Sequence, residues 1–437
     1  MSGRVASTLA RASYSLLLRV GLPLYLLRVL WRGRREPLYA TSLGERVGLY
    51  GAGAGAAPTR PVWLHAVSLG ETLAAAPLVD ALRRALPGRS LLLTHGTATG
   101  RAAGQLLLSP GDAQVWLPFD TPGAVARFLG RFDPLVGVLM ETEIWPNLLD
   151  VAHRRGLPVV LANARMSERS RRRGRRVDAL LRPAFASLAV TLAQTEADAE
   201  RLREAGAANV HVEGNVKFDR TPDAGLVERG RHWRDAAGAR PVVLATLTRD
   251  GEEALLLQAW RTLPEPRPLL VIVPRHPQRF EAVAELIEAS GFVLSRRSRW
   301  GDAPDASAAS ADVWLGDSMM EMAAYYGLAD VALLGGSFAP LGGQNLIEAA
   351  ACGCPIVMGP HTFNFTEAAM LAIAAGAALR MASMAEGVAA AVSLANAPDE
   401  RRRRAEAALA FAAAHRGAAT RTSARIVALL ERRPGVG

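Results

Sequence analysis

A glycine-rich stretch near the C-terminus, LLGGS at residues 333–337 and LGGQNLIE at residues 341–348, decides the fold that the sequence predicts. It predicts a buried strand, a glycine loop, a short helix and a further strand ending before Gly359. Glycine loops let backbone N–H groups approach an anion closely, and a helix N-terminus adds its positive dipole end. Asn345 and Glu348 are three residues apart and share one face of that helix. The pattern favours a nucleotide-sugar site, with phosphate on the loop and ribose hydroxyls on these two side chains.

Length and composition indicate a globular protein of two domains. The chain has 437 residues, half of them hydrophobic, which is enough for two cores of about 200 residues each. Cys352 and Cys354 are the only cysteines. Two cysteines exclude a disulfide framework and a cysteine-rich metal site, and they fit a reducing cytoplasm.

The basic charge is concentrated at the N-terminus. Residues 1–35 hold seven arginines and no acid, against a net charge of +10 for the whole chain. A nucleic-acid-binding protein would carry its basic residues on the folded body, so we expect no nucleic-acid partner. The same segment is rich in leucine, which predicts an uncleaved membrane anchor whose arginines stay in the cytoplasm, in contact with anionic lipids. Arg19 and Pro23 interrupt it and favour an interfacial helix over a full span, while a soluble helix packed on the body is the third alternative.

Short apolar strands alternate with helices along the rest of the chain. Strands are predicted at residues 61–67, 90–94, 135–140, 157–162, 241–245, 269–273 and 331–334. This alternation is typical of an α/β fold with doubly wound parallel sheets. We expect an anchor at 1–35, an N-terminal domain at 36–221 and a C-terminal domain at 222–437. A surface loop is predicted at 300–312, and one terminal helix from Asp399 that could pack back on the N-terminal domain.

Acidic residues follow two of the N-terminal strands. Glu71 comes directly after the first, and Glu141 and Glu143 follow the strand at 135–140. Ligands bind outside the carboxyl ends of strands in doubly wound folds, so Glu71 is a candidate general base. The alternative is that Glu71 only complements a helix dipole. Likewise, Glu141 and Glu143 either hold a polar substrate group or belong to an ordinary helix start.

Basic residues supply the remaining candidates. Lys217 is the only lysine among 51 basic residues, which suggests a site that needs a compact ammonium, although a surface ion pair is the alternative. Arg275 and His276 end a strand and could grip a phosphate, or His276 could be structural. The arginines between Arg165 and Arg176 form either a solvated helix face or a contact for anionic lipid or acceptor phosphates.

Several motifs occur together in a fixed order. They are SLGE at 68–71, METEIWPN at 140–147, GNVKFD at 214–219, PRH at 274–276, GGS at 335–337, GQN at 343–345 with Glu348, and GPH at 359–361. This series resembles the 3-deoxy-D-manno-octulosonic acid (Kdo) transferases of Gram-negative bacteria. The resemblance implies a GT-B fold, with two Rossmann-like domains facing a cleft. It also implies inverting transfer of Kdo from CMP-Kdo to the lipid A precursor (lipid IVA) in lipopolysaccharide biosynthesis, without an essential metal or other cofactor.

The resemblance also implies roles for individual residues. Glu71 would be the base, and Lys217 with Glu141 and Glu143 would support the transition state. The residues implied to hold CMP are Arg275, His276, Met319, Met320, Glu321, Asn345, Leu346, Ile347 and Glu348. The chain departs from the family pattern at Leu247 and Arg249, where the family has Ser and His, and at Met320, where it has glycine.

Two other functions fit part of the sequence. Another membrane-associated GT-B glycosyltransferase that uses a UDP-sugar would share the glycine loop and Glu348, but it fits SLGE and the segment around Lys217 less well. A basic, membrane-tethered binding protein would explain the N-terminal segment and leave the ordered motifs unexplained.

Overall fold

The computed structural model describes residues 2–51 and 59–432. The chain divides into two compact units, with Met1–Arg220 and Arg416–Gly437 in unit 1 and Thr221–His415 in unit 2. The chain thus enters unit 2 one residue before the boundary drawn from the sequence, and it returns to unit 1 for its C-terminal segment.

Unit 1 is built on a parallel sheet of seven strands whose order is β3-β2-β1-β4-β5-β6-β7. The strands are β1 (Val62–His65), β2 (Leu91–His95), β3 (Ala113–Trp116), β4 (Val136–Met140), β5 (Val159–Ala164), β6 (Val190–Ala193) and β7 (Val210–Val212). The helices are α1 (Ser2–Gly33), α2 (Leu69–Ala85), α3 (Ala98–Gly104), α4 (Pro122–Phe132), α5 (Pro146–Arg154), α6 (Glu168–Gly174), α7 (Asp178–Ala186), α8 (Glu196–Glu204) and the C-terminal α18 (Ala418–Glu431). The central strands are buried along their whole length because helices cover both faces of the sheet, as parallel sheets require.

Unit 2 repeats this architecture with the order β10-β11-β9-β8-β12-β13-β14, again all parallel. Its strands are β8 (Val242–Thr248), β9 (Leu269–Pro274), β10 (Leu294–Arg296), β11 (Val313–Leu315), β12 (Val331–Leu334), β13 (Ile356–Met358) and β14 (Ala378–Arg380). Its helices are α9 (Ala224–Ala236), α10 (Glu252–Arg261), α11 (Phe280–Ala289), α12 (Ala306–Ala309), α13 (Met322–Leu328), α14 (Leu346–Ala351), α15 (Thr366–Ala374), α16 (Met384–Ala395) and α17 (Pro398–Ala414). The predicted α/β class with two doubly wound sheets is confirmed.

The strand order changes direction once near the middle of each sheet. In unit 1 this switch point lies between β1 and β4, whose carboxyl ends are level because His65 pairs with Leu139. In unit 2 it lies between β8 and β12, where Thr246 pairs with Leu334. Ligands of open α/β sheets bind outside the carboxyl ends of strands at such points, so each unit has one expected site.

Helix α1 has two different faces. One face contacts unit 1, with Ser15 and Val29 buried, and Tyr14 donates a hydrogen bond to Asp120 at 3.0 Å. The opposite face is exposed and apolar, and includes Leu17 and Leu24, each 71% exposed. By length and composition, residues 5–33 could cross a membrane. The helix runs from Ser2 to Gly33 with Pro23 inside it.

Residues 300–312 are largely exposed and irregular, as the predicted surface loop requires. The segment also contains α12, and it is anchored by three buried residues: Trp300, which packs against Trp314 with ring centroids 4.9 Å apart, Ala308 and Ala311. The C-terminal region is not one helix, since it breaks at Gly417, which has a φ of 95° that glycine adopts most easily.

Candidate active site

Glu71 lies in the first turn of α2, just beyond β1. Ser68 caps this helix, and its hydroxyl donates to Oε1 of Glu71 at 3.2 Å, while the N–H of Val67 donates to Oε2 at 2.8 Å. Burial raises the pKa of the Glu71 carboxyl, and the charge of Glu141 raises it further, against the hydrogen bond from Val67. A carboxylate that is fixed in place and more basic than usual is suited to accept a proton.

Glu141 and Lys217 form an ion pair at the end of β4. Lys217 Nζ lies 2.7 Å from Oε1 of Glu141, and the side chains are only 16% and 13% exposed. Glu141 has a φ of 57°, which is strained for a residue other than glycine and is typical of functional sites. Asn163, at the end of β5, has a φ of 51° and accepts the N–H of Val216 at 3.1 Å, which fixes the turn that carries Lys217. The lysine is therefore paired with a carboxylate inside the site.

Glu143 completes the acidic group. Trp145 Nε1 donates to its Oε2 at 2.9 Å, and the Nε2 atom of the buried His65 lies 4.0 Å from the same oxygen. Burial and the charge of Glu71 raise the pKa of Glu143 to about 7. Burial lowers the pKa of His65 to about 3, so this imidazole is neutral at physiological pH. Unit 1 thus brings together all four predicted catalytic residues: Glu71, Glu141, Glu143 and Lys217.

A cavity of about 530 Å³ opens beside Glu141 and contains part of the predicted arginine cluster. Arg165, Arg171 and Arg175 line it together with apolar residues such as Leu181 and Phe185. Arg171 forms ion pairs with Glu168 and Glu204 at 2.7 Å. Part of the cluster thus lines a cavity together with apolar side chains, whereas Arg169, Arg172, Arg173 and Arg176 are exposed and lie outside it.

In unit 2 the predicted phosphate-binding residues Arg275 and His276 follow β9, the strand next to the switch point. Arg275 follows β9, and burial and the nearby Arg249 lower the pKa of its guanidinium, whereas Glu348 raises it. Partial burial and the same arginines lower the pKa of His276. Within residues 2–51 and 59–432, neither Arg249 nor Arg275 makes a side-chain hydrogen bond or an ion pair. Two adjacent guanidinium groups that form no direct ion pair favour an anionic ligand.

The helix after the glycine loop is short, as predicted, and its first two residues are buried. Helix α14 has six residues, and Oδ1 of Asn345 caps it by accepting the N–H of Ile347 at 3.2 Å. Leu346 and Ile347 point into the core, so their side chains cannot contact a donor. Asn345 can offer a ligand only its amide N–H groups while it caps the helix, and Glu348 remains within electrostatic range of Arg275.

The segment Met319–Glu321 follows β11. Met320 is 52% exposed and has a φ of 66°. Glycine, the residue of the family pattern at this position, adopts such a φ without steric cost. Glu321 pairs with Arg229 at 3.2 Å and with Arg297 at 3.0 Å. Its carboxylate therefore stabilises the turn through these two ion pairs. Met319 and Met320 are exposed to solvent.

Sequence reasoning missed the residues that hold the loops. Asn163 and Glu252 belong to none of the sequence motifs. Each accepts a backbone N–H and so holds a loop at the end of a strand. The signal for Glu252 was present as two consecutive acids, Glu252 and Glu253, that begin a helix after a strand. Both side chains are fully buried, and a carboxylate is almost never fully buried unless it has partners. Glu252 accepts the N–H of Gly336, and Glu253 pairs with Arg279.

Comparison with known proteins identifies the family. The family model for "3-Deoxy-D-manno-octulosonic-acid transferase (kdotransferase)" matches residues 41–220. A Bordetella pertussis 3-deoxy-D-manno-octulosonic acid transferase is 46% identical over 95% of this chain and 98% of its own length. The chain belongs to the Kdo transferase family. A Haemophilus influenzae member is 33% identical over 97% of this chain and 99% of its own.

Solved structures support the fold of this Kdo transferase family member. A glycosyltransferase from Rickettsia africae has a TM-score of 0.58 at 10% identity, covering 86% of this chain and 99% of its own. A UDP-GlcNAc 2-epimerase from Neisseria meningitidis has a TM-score of 0.56 at 15% identity, covering 85% and 100%. At such identities the likeness concerns the fold alone, and it confirms the predicted GT-B class. The family activity is glycosyl transfer, as the sequence predicted.

Proposed function

We propose that this Kdo transferase uses CMP-Kdo as donor and a lipid A precursor such as lipid IVA as acceptor. The observation that carries the proposal is the group of three carboxylates and one ammonium at the β1–β4 switch point of unit 1, joined with sequence identity to named Kdo transferases over nearly the whole chain. The group provides a base and charge stabilisation, which are what glycosyl transfer with inversion needs.

In the proposed reaction, Glu71 accepts the proton of an acceptor hydroxyl. The hydroxyl oxygen bonds to the anomeric carbon of Kdo, and the bond from that carbon to the phosphate oxygen of CMP breaks with inversion. Lys217 stabilises negative charge, either on the Kdo carboxylate or on the departing phosphate, and Glu141 holds its ammonium in place at 2.7 Å. Glu143, with its pKa of about 7, remains partly protonated and does not add a full third charge.

The cavity beside Glu141 supports an amphipathic acceptor. A lipid A precursor carries phosphates and acyl chains, and the cavity is lined both by the cationic Arg165 and Arg175 and by the apolar Leu181 and Phe185. The exposed apolar face of α1 supports attachment to a membrane, which for this acceptor is the inner membrane at its cytoplasmic face. Arg19 and Arg28 are both exposed on this helix and can contact anionic headgroups.

Donor identity is tested by thermal stabilisation with CMP and with UDP. A ligand at 100 times its Kd stabilises the state that binds it by about 2.7 kcal/mol. We expect CMP to raise the Tm and UDP to have little effect at equal concentration. A larger shift with UDP would favour the alternative, a GT-B enzyme that uses a UDP-sugar.

Acceptor identity is tested by product mass. The protein is incubated with a source of CMP-Kdo and with lipid IVA, and the glycolipid is analysed by mass spectrometry. One or more Kdo additions support the proposal, and their number defines the product. Hydrolysis of CMP-Kdo without any change in the lipid mass would show that the acceptor is a different molecule.

A further inference from the structure

The carboxylate of Glu252 accepts hydrogen bonds from the backbone of the glycine loop. It is fully buried at the start of α10. Its Oε2 accepts the N–H groups of Arg249 at 2.9 Å and Gly336 at 2.7 Å, and its Oε1 accepts those of Phe338 at 3.2 Å and Ala339 at 3.3 Å. Four backbone donors satisfy one buried charge, so the group is not an unpaired anion.

This arrangement corrects part of one expectation from the sequence. The glycine loop was expected to hold phosphate through its own N–H groups, but those of Gly336, Phe338 and Ala339 already donate to Glu252. The N–H of Gly335 is also taken, since it donates to the carbonyl of Thr246 at 2.9 Å. These donors in the first part of the loop are therefore not available to a phosphate, so side chains gain weight in its recognition.

The two loops that Glu252 joins lie in direct contact. A Cβ at Gly335 would stand 2.5 Å from the carbonyl oxygen of Thr246 and 2.6 Å from that of Leu247, so only glycine fits there. The aliphatic part of Arg249 lies 3.7 Å from where a Cβ at Gly336 would stand. Arg249 is thus placed over the loop, beside the unpaired Arg275.

We propose that Glu252 is the positioning residue of the donor-phosphate site, which fastens the Thr248–Arg249 segment to the glycine loop and so sets the guanidinium of Arg249 as a ligand of the donor phosphate. This inference rests on the proposed use of a nucleotide-linked sugar. It assigns a phosphate-binding role to Arg249, a position at which this chain departs from its family. It also assigns a positioning role to Glu252, which is buried and does not touch the substrate.

The test compares ligands with and without phosphate. Inhibition constants are measured for CMP and for cytidine with the full-length wild type, Arg249→Ala, Glu252→Gln and the double variant. We expect each single variant to weaken CMP by about tenfold or more while cytidine changes less than threefold, because a charged hydrogen bond is lost. The double variant should be no more than threefold weaker than Arg249→Ala, because both changes remove the same contact.

Asp330→Asn is the matched control for a purely structural effect. Asp330 lies at the amino end of β12, where it accepts the N–H of Val242 at 2.8 Å and pairs with Arg401 at 3.3 Å. The substitution should lower the Tm of unit 2 and leave the ratio of CMP to cytidine affinity unchanged. If Glu252→Gln does not fold, Glu252→Asp replaces it, since it keeps the charge and shortens the reach by one methylene.

Two results would overturn the proposal. One is an unchanged CMP-to-cytidine ratio in the folded Glu252 variant. The other is a double variant whose losses multiply, because independent effects exclude a shared contact. The same affinity ratio is measured for UDP and uridine. If the enzyme binds UDP and not CMP, the proposed donor is wrong, but the UDP-to-uridine ratio still tests the role of Glu252 at the phosphate.

Discussion

At the scale of single residues, Glu71 carries the clearest prediction. Glu71→Gln should lower kcat by 10²–10⁴-fold, because the amide cannot accept the proton from the acceptor. The amide oxygen can still accept the N–H of Val67, so the fold and the affinity for CMP should be retained. The measurement is turnover at saturating donor. Asp80→Asn is the control, an exposed exchange of the same chemistry on the same helix, and more than a tenth of wild-type turnover in Glu71→Gln would refute the assignment.

Lys217 tests whether the site needs a compact cation. Lys217→Arg conserves the charge, but a planar guanidinium is broader than the ammonium that lies 2.7 Å from Glu141 in an enclosed position. We expect kcat to fall by roughly 10²–10³-fold, the usual loss when charge stabilisation of a transition state is removed. Arg231→Lys, an exchange in an exposed ion pair with Glu228, should have no such effect. A rate within threefold of wild type for Lys217→Arg would show that Lys217 has only a structural role as the partner of an acid.

Glu143 gives unit 1 a pH dependence whose sign can be derived. Its pKa is raised from 4.5 to about 7, so the folded state holds the proton more tightly than the unfolded chain. The stabilisation is complete below pH 4.5 and is lost as the pH rises through 7. Glu143→Gln, which is neutral at every pH, should therefore become more stable relative to wild type between pH 5 and pH 8. Urea unfolding across this range checks the trend, and a stability difference independent of pH would contradict it.

At the scale of elements, α1 joins a packed face to an apolar exposed face. The packed face binds unit 1 through Tyr14 and Ser15, so deletion of the helix would also disturb the body. Substitution of the exposed face is the sharper experiment. Asparagine at Leu17, Val20 and Leu24 together should reduce sedimentation with anionic vesicles and keep turnover on detergent-dispersed acceptor.

The control for α1 changes equally exposed apolar residues elsewhere. Leu49, Leu106 and Val293 are each more than half exposed and lie outside the helix. Their replacement by asparagine should leave sedimentation unchanged. Equal losses in the two triple variants would mean that general surface hydrophobicity, and not α1, drives the association.

The elements also show how far the sequence could lead. Short apolar runs such as residues 135–140 predicted β4 within one residue, since a buried parallel strand needs continuous apolar side chains. The carboxyl ends of β1 and β4 then located Glu71 and Glu141. The partners that hold those residues could not be predicted, because the contact between Asn163 and Val216 spans 53 residues. The burial of Trp300 at the start of the predicted surface loop could not be predicted either, because it depends on Trp233 and Trp314 from other elements.

At the scale of the whole molecule, the chain closes unit 1 with its last helix. Ala418, Ile426 and Leu430 of α18 belong to the core of unit 1. Asp219, at the exit from that unit, accepts the N–H groups of Gly417 and Ala419 and so caps the returning helix. The C-terminal segment should therefore govern the stability of the half that contains the candidate base, although it lies farthest from Glu71 in the sequence.

Ile426→Ala isolates this contribution. The side chain is fully buried, so its truncation should lower the free energy of unfolding of unit 1 by about 2–5 kcal/mol through lost transfer energy and a residual cavity. Amide hydrogen exchange should accelerate in α2 and β1 and remain unchanged in β8 and β12, and CMP affinity should persist because its proposed ligands lie in unit 2. Leu409→Ala, at a half-exposed position on α17, should shift stability by no more than about 0.5 kcal/mol. Acceleration in both units would instead show that the two halves unfold as one cooperative body, in which α18 stabilises the donor half as strongly as the catalytic one.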